Sequence, residues 1–190
     1  MNAYMNAKID DANALKAYET LRASGPRGRE LAGVLDARAT RVRVTPRIYG
    51  GFTLNFINTI FIMPLRENAS DWDYKFWVTL LGHEACHIEQ RYWIDSVAQE
   101  IRAYTTQARV GDDVGIDLDH IKRAFVNLDP ENAEHQILAH AALVGMFAGT
   151  SVGILYASLP LFQPTGFGAI VPGARQIVAA IRAGLAKPQT

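Results

Sequence analysis

The sequence predicts an α+β fold: a small domain whose short sheet packs on one long helix, followed by an apolar helical C-terminal region. Three observations carry this. Hydrophobic spacing is helical up to about residue 38, then alternates strictly through Arg41-Val42-Arg43-Val44-Thr45. A helix-compatible frame resumes after the polar loop Asn68–Asp73 and contains His83-Glu84-Ala85-Cys86-His87. Residues 137–159 are almost wholly apolar. The predicted division is residues 1–130 for the α+β domain and 131–190 for the extension.

The 190 residues suffice for one core, or a core with an appendage. Hydrophobic residues make up 49% and charged residues 20%, as in folded proteins. Nineteen basic residues balance nineteen acidic ones, so no basic excess points to nucleic acid. Cys86 is the only cysteine, which excludes an intramolecular disulfide. Met1 to Asp11 lacks a basic region followed by an apolar run, so no signal peptide is expected. Without one, the location is expected to be cytoplasmic or membrane-associated.

In chain order, Ala14, Leu15, Tyr18 and Leu21 predict a helix over 10–23, capped by Asp10 or Asp11 and stopped by Gly25-Pro26-Arg27-Gly28. Leu31, Val34 and Leu35 predict a second helix over about 28–38. The strand at 41–45 ends at Pro46. Gly50-Gly51 reads as a turn. Phe52–Ile57 and Thr59–Met63 read as strands bent at Asn58 and closed by Pro64. Ser70 or Asp71 caps the motif helix, expected over 72–91 with Trp77, Leu80, Leu81 and Ile88 on its apolar face. Ser96-Val97-Ala98-Gln99 reads as a capping box, so a new helix starts there and stops near Gly111. A further helix is expected over 117–127, ended by Asp129-Pro130.

H-E-x-x-H on a helix puts His83 and His87 one turn apart on one face, where both can bind one Zn²⁺. Glu84 adjoins the first ligand and can act as general base on a water that the ion acidifies. A third ligand is needed. Were the helix unbroken, His87 and Glu100 would be ~20 Å apart. A bend within Arg91–Asp95 and antiparallel packing would bring Glu100 opposite His87. Asp95, His120, His135 and His140 compete for that position, whereas Glu89 is too near in sequence to share the face. Cys86 is expected to be a buried small hydrophobe, with metal ligation the lesser reading. Ala103 would allow close helix approach. Tyr104 is a candidate donor to a ligand carboxylate or a reacting oxygen, alongside Arg91 and His120.

His83-Glu84-x-x-His87 with a downstream Glu resembles the zincin metallopeptidases, and within them the gluzincin arrangement. The order of helical N-terminal part, strands, motif helix and Glu-bearing helix is similar to the minimal core of small gluzincin-like peptidases, over residues 28–110. Gln99-Glu100 stands where an Asn-Glu pair often introduces the third ligand of that family. The resemblance implies a zincin-like fold with Zn²⁺ on His83, His87 and Glu100. It also implies Glu84 as general base and acid, a peptide or protein substrate, and Thr59–Met63 as the sheet edge that receives it.

The segment 137–159 is long enough to span a bilayer as one helix, and small residues recur at Ala141, Gly145, Gly149, Gly153 and Ala157. His140 and the lack of a second span argue for a buried helix instead. Arg175, Arg182 and Lys187 make Gly173–Lys187 basic and amphipathic, suited to an anionic membrane surface or to docking on the domain. Two other functional classes follow: a membrane-associated protein with a secondary zinc site, and a non-catalytic binding protein stabilised by zinc.

Overall fold

The computed structural model describes residues 6–46, 48–92, 94–163 and 178. The chain is α+β, with two compact units: residues 1–93 with 103–119, and residues 94–102 with 120 onward. The first begins with β1 (Lys8–Ile9), α1 (Ala12–Ala23), α2 (Pro26–Ala37) and β2 (Arg41–Val44). It continues through β3 (Gly51–Leu54), β4 (Thr59–Ile62) and α3 (Asp71–Gln90). Helix α4 (Val97–Val114) has its first turns in the second unit and its remainder in the first. The second unit continues from α5 (Asp119–Ile121) and a π-helical turn (Lys122–Val126) through α6 (Ala133–Met146) and α7 (Ser151–Ala157).

Local signals explain most boundaries. Asp11 caps α1 by accepting the Ala14 N–H at 2.9 Å. Pro26 is not only a stop. It occupies the first turn of α2, where its missing N–H costs nothing, so α2 starts two residues earlier than expected. In β2 the alternation holds, with Val42 buried and Arg41 and Arg43 exposed. Ser70 and Asp73 form a reciprocal capping box at the start of α3.

The sheet order is β1-β2-β4-β3, with β1, β2 and β4 parallel and β3 antiparallel to β4. Strand β1 was not expected, because two residues carry no periodicity. It is tied in from a distance: Asp36 Oδ1 accepts the Asn6 and Ala7 N–H groups at 3.0 and 3.1 Å. The expected strand over 52–57 ends at Leu54, and Asn55–Ile57 form a 3-10 turn with Phe56 and Ile57 exposed. Asn58 makes the bend in the left-handed region (φ 47°). Thr59–Ile62 lies inside the sheet between β2 and β3, so the expectation that it is the edge is wrong; β3 is the outer strand on this side and β1 on the other.

Helices α1 and α2 and strands β3 and β4 all pack on α3. The core they enclose includes Tyr18, Leu21, Leu31, Leu35, Ile60, Ile62, Trp77, Leu81 and Ile88. Each such large apolar side chain contributes about 1.5–3 kcal/mol when taken from water. Trp77 also donates its indole N–H to the Met63 carbonyl at 2.8 Å, fixing α3 against the end of β4.

Helix α4 passes through Gly111 and ends at Gly115, which has φ +77°. Gly111 is small for packing: a Cβ there would lie 2.9 Å from Leu118 Cδ1. The helix expected over 117–127 starts at Asp119 and finishes as the π turn. The single helix expected over 137–159 is two. It breaks at Phe147–Thr150, where Gly149 has φ +79° and Thr150 caps α7 through the Gly153 N–H at 3.1 Å. Gly153 is needed there, since a Cβ would meet the Phe147 carbonyl oxygen at 2.2 Å. Among the described residues no helix is long and apolar enough to cross a membrane. The basic segment Gly173–Lys187 lies outside the described residues, Val178 excepted.

Candidate metal centre

Every residue of α3 from Trp77 to Ile88 is buried. One apolar face was expected; packing from α1, α2 and the sheet instead covers the helix all round. The H-E-x-x-H residues are therefore held in the interior of this unit, where electrostatic interactions are stronger than in water.

Two arginines of the α2 region fix the end of this helix. Arg38 donates to the carbonyls of Ile88 and Glu89, closing orphan acceptors of the last turn. Burial is the main cause that lowers its pKa from the usual arginine value. Arg27 grips the Glu89 carboxylate with both terminal nitrogens, at 3.0 and 2.5 Å, which raises the Arg27 pKa. Arg91 then takes a left-handed conformation (φ 66°) and α3 stops, one turn after His87.

The chain restarts as α4 at Val97. Ser96 O accepts the Gln99 and Glu100 N–H groups at 3.0 and 3.1 Å, and the Ser96 hydroxyl donates to Gln99 Oε1 at 3.4 Å. The first-turn N–H groups of Val97 and Ala98 donate to the carbonyls of Pro160 and Leu161, at 2.9 and 3.1 Å. The chain that follows α7 thus satisfies donors that no helix can satisfy for itself. This fixes the turn that carries Glu100.

Farther along, α4 runs against α3. Thr106 Oγ1 lies 3.6 Å from Cys86 Sγ, and Val110 packs where a Cβ on Gly82 would be 3.3 Å away. The Tyr104 ring meets the His83 ring edge-on at 4.5 Å, and Gln107 Nε2 lies 3.4 Å from Thr79 Oγ1. In each pair of contacts, moving up α4 moves down α3, so the two segments are antiparallel. Ala103 is fully buried, consistent with the close approach expected of it.

His83, His87 and Glu100 come together. All three are buried, and one potential ligand atom from each lies within 4.8 Å of the others. The two Nε2 atoms are 3.1 Å apart. Donors about 2.0–2.2 Å from a tetrahedral Zn²⁺ are separated by ~3.3 Å, so the two histidines already have the spacing such an ion requires. Two imidazoles and one carboxylate also form the three-ligand set that leaves a coordination position open to water or substrate. The donor set fits a metal ion.

Glu84, also buried, is held by the outer strand. Thr53 Oγ1 donates to Glu84 Oε2 at 2.7 Å and lies 3.2 Å from the Glu84 carbonyl oxygen. Gly51 leaves room for the same carboxylate: a Cβ there would be 2.5 Å from Glu84 Oε1. Neither residue was foreseen. Gly50-Gly51 reads as one turn, but only Gly50 has a positive φ (+89°), and Gly51 opens β3. A period-2 count from Gly51 puts residues 51 and 53 on one face and was the available signal.

The other candidates lie elsewhere. His135 Nδ1 accepts the Asp129 N–H at 2.9 Å, and His140 Nε2 is 3.0 Å from the Tyr156 carbonyl oxygen. Asp95 and His120 belong to no cluster of potential metal ligands among the described residues. Arg91 is exposed at the end of α3. Cys86 is buried outside the ligand group, near Arg27, Gln90 and Thr106, and burial raises its thiol pKa. No protein-family model, curated protein or solved structure matches the chain.

Proposed function

We propose that this protein is a zinc metallopeptidase, a hydrolase of the zincin type acting on peptides or proteins. The observation that carries the reading is the buried His83–His87–Glu100 group on the same helix as a carboxylate, Glu84, whose Oε2 is fixed by Thr53 at 2.7 Å. His83, His87 and Glu100 would hold the ion. When bound, Zn²⁺ supplies a Lewis acid for the scissile carbonyl and lowers the pKa of a water towards neutral.

The chain's own residues do the rest. Glu84 takes a proton from the attacking water and delivers it to the leaving amine as the C–N bond breaks. Tyr104, packed on His83, is the candidate donor to the oxyanion. An extended substrate would add to β3. Met63 donates to Gly50 in the paired register, so Gly51 and Thr53 turn their backbone groups away from β4, towards the outer side of the sheet.

The test is Glu84→Gln with zinc content measured beside peptide hydrolysis. Hydrolysis is expected to vanish while zinc stays. A wild type that cleaves no peptide, and that chelation merely unfolds, would favour a zinc-stabilised binding protein instead.

A further inference from the structure

From Ile48 to Leu65 the chain has no Asp, Glu, Lys or Arg, and this stretch contains the outer strand β3. Edge strands ordinarily carry charged side chains or proline, which discourage another strand from pairing with them. The opposite edge conforms: β1 is two residues long and Lys8 is exposed. Strand β3 carries neither device. Its side chains divide between two faces. Gly51 and Thr53 lie against Glu84, so by alternation Phe52 and Leu54 stand on the face turned away from α3. Phe52 is opposite Phe61 of β4, and Phe52, Leu54 and Phe61 are all partly exposed. Phe56, in the 3-10 turn that continues β3, is 71% exposed.

We propose, on the metallopeptidase reading, that Phe52 and Leu54 select the substrate: an extended peptide with a large apolar side chain, aromatic or β-branched, at the position opposite Phe52. An antiparallel strand added to β3 would exchange backbone hydrogen bonds with Gly51 and Thr53. The peptide residue between those two contacts falls opposite Phe52 as a non-hydrogen-bonded pair, with Cα atoms ~4.5 Å apart. Its side chain lies on the Phe52 face, diagonal to Leu54. Its two neighbours in the peptide turn their side chains to the Glu84 face. Aromatic–aromatic and aromatic–β-branched pairs are the favoured cross-strand neighbours. A charged side chain there would give up water beside Phe52 and Leu54 without an opposite charge. Arg43, in the same row as Phe61 and Phe52, is three strand spacings from the added strand, ~14 Å.

The test uses the full chain and a library of uncharged-backbone, randomised linear peptides, with cleavage sites mapped by mass spectrometry. Wild type is expected to prefer Phe, Tyr, Leu, Ile or Val at one position near the cleaved bond. Phe52→Ala is expected to lower kcat/KM for those peptides by roughly fivefold, leaving peptides with Ala at that position unchanged. Phe52→Glu is expected to switch the preference there to Lys and Arg, which a loss of folding would not do. Peptides captured by Glu84→Gln, with and without Phe52→Glu, are read in parallel and need no turnover. Capture that shows the apolar preference and its switch, with no cleavage by wild type, upholds the selection by Phe52 and removes the peptidase reading. Cleavage whose preferences Phe52→Ala and Phe52→Glu leave unchanged overturns the selection and keeps the peptidase. Absence of both cleavage and capture overturns both. A dimer that Phe52→Glu dissociates, with no change in peptide preference, would assign the edge to a second copy and overturn the proposal.

Discussion

The Thr53 hydroxyl donates to Glu84 Oε2 at 2.7 Å, so the outer strand of the sheet grips the second residue of the H-E-x-x-H. Both groups are buried. In such surroundings a hydrogen bond to a carboxylate is worth about 1.5–3 kcal/mol and restricts the orientation of the group it holds. The strand therefore decides where the carboxylate points, while the helix decides only that it is there.

Thr53→Val keeps the shape and removes the donor. Peptide hydrolysis is expected to fall ~10–100-fold in kcat with zinc content unchanged, and Thr53→Ser is expected to restore most of it. Steady-state kinetics beside metal analysis check this. Equal loss in the valine and serine variants would mean that packing, not the hydroxyl, is what matters.

Gly51→Ala places a methyl 2.5 Å from Glu84 Oε1, which forces the carboxylate or the strand to move. Activity is expected to drop at least tenfold, in kcat more than in KM, with stability lowered by ~1–3 kcal/mol as in other overpacked sites. Gly50→Ala, at φ +89° but with open space around its Cβ, is expected to cost stability without that loss of kcat.

His83→Ala and Glu100→Ala separate the ligands. Each is expected to weaken zinc binding by more than the ~10–100-fold that loss of an outer partner costs. Metal titration of the purified variants checks it. Zinc retained at full affinity in Glu100→Ala alone would leave the histidine pair as the site and remove Glu100 from it.

Tyr18 supplies a pH test of the fold. Burial, then its hydrogen bond to Asp36 at 2.7 Å, push its phenol up to about 12 from an ordinary value near 10. A folded-state pKa above the unfolded one gives stability that is complete below pH ~10 and lost as pH rises towards ~12. Denaturant midpoints of the wild type are expected to fall across that window, and those of Tyr18→Phe to fall less. Identical slopes would show that Tyr18 does not report the transition.

What the sequence settled by itself is short-range. The H-E-x-x-H frame, the caps narrowed to Asp10 or Asp11 and to Ser70 or Asp71, the alternation of β2 and the helix break before Ser96 all depend on residues within a turn or two of one another. Each acts through local hydrogen bonds or side-chain period, and those are written in adjacent letters. Glu100 was legible too, because the break and the restart that fold it back are local.

Tertiary structure decided the rest: that β3 is the outer strand, that Thr53 and Gly51 orient Glu84, and that Pro160 and Leu161 cap the helix bearing Glu100. Glycine shows why. Gly50, Gly115 and Gly149 turn the chain through positive φ, whereas Gly51, Gly111 and Gly153 lack a side chain so that another group can occupy its place. The letter is the same. Only the approach of a distant segment, governed by packing and not by the neighbours in sequence, distinguishes a turn from a cradle.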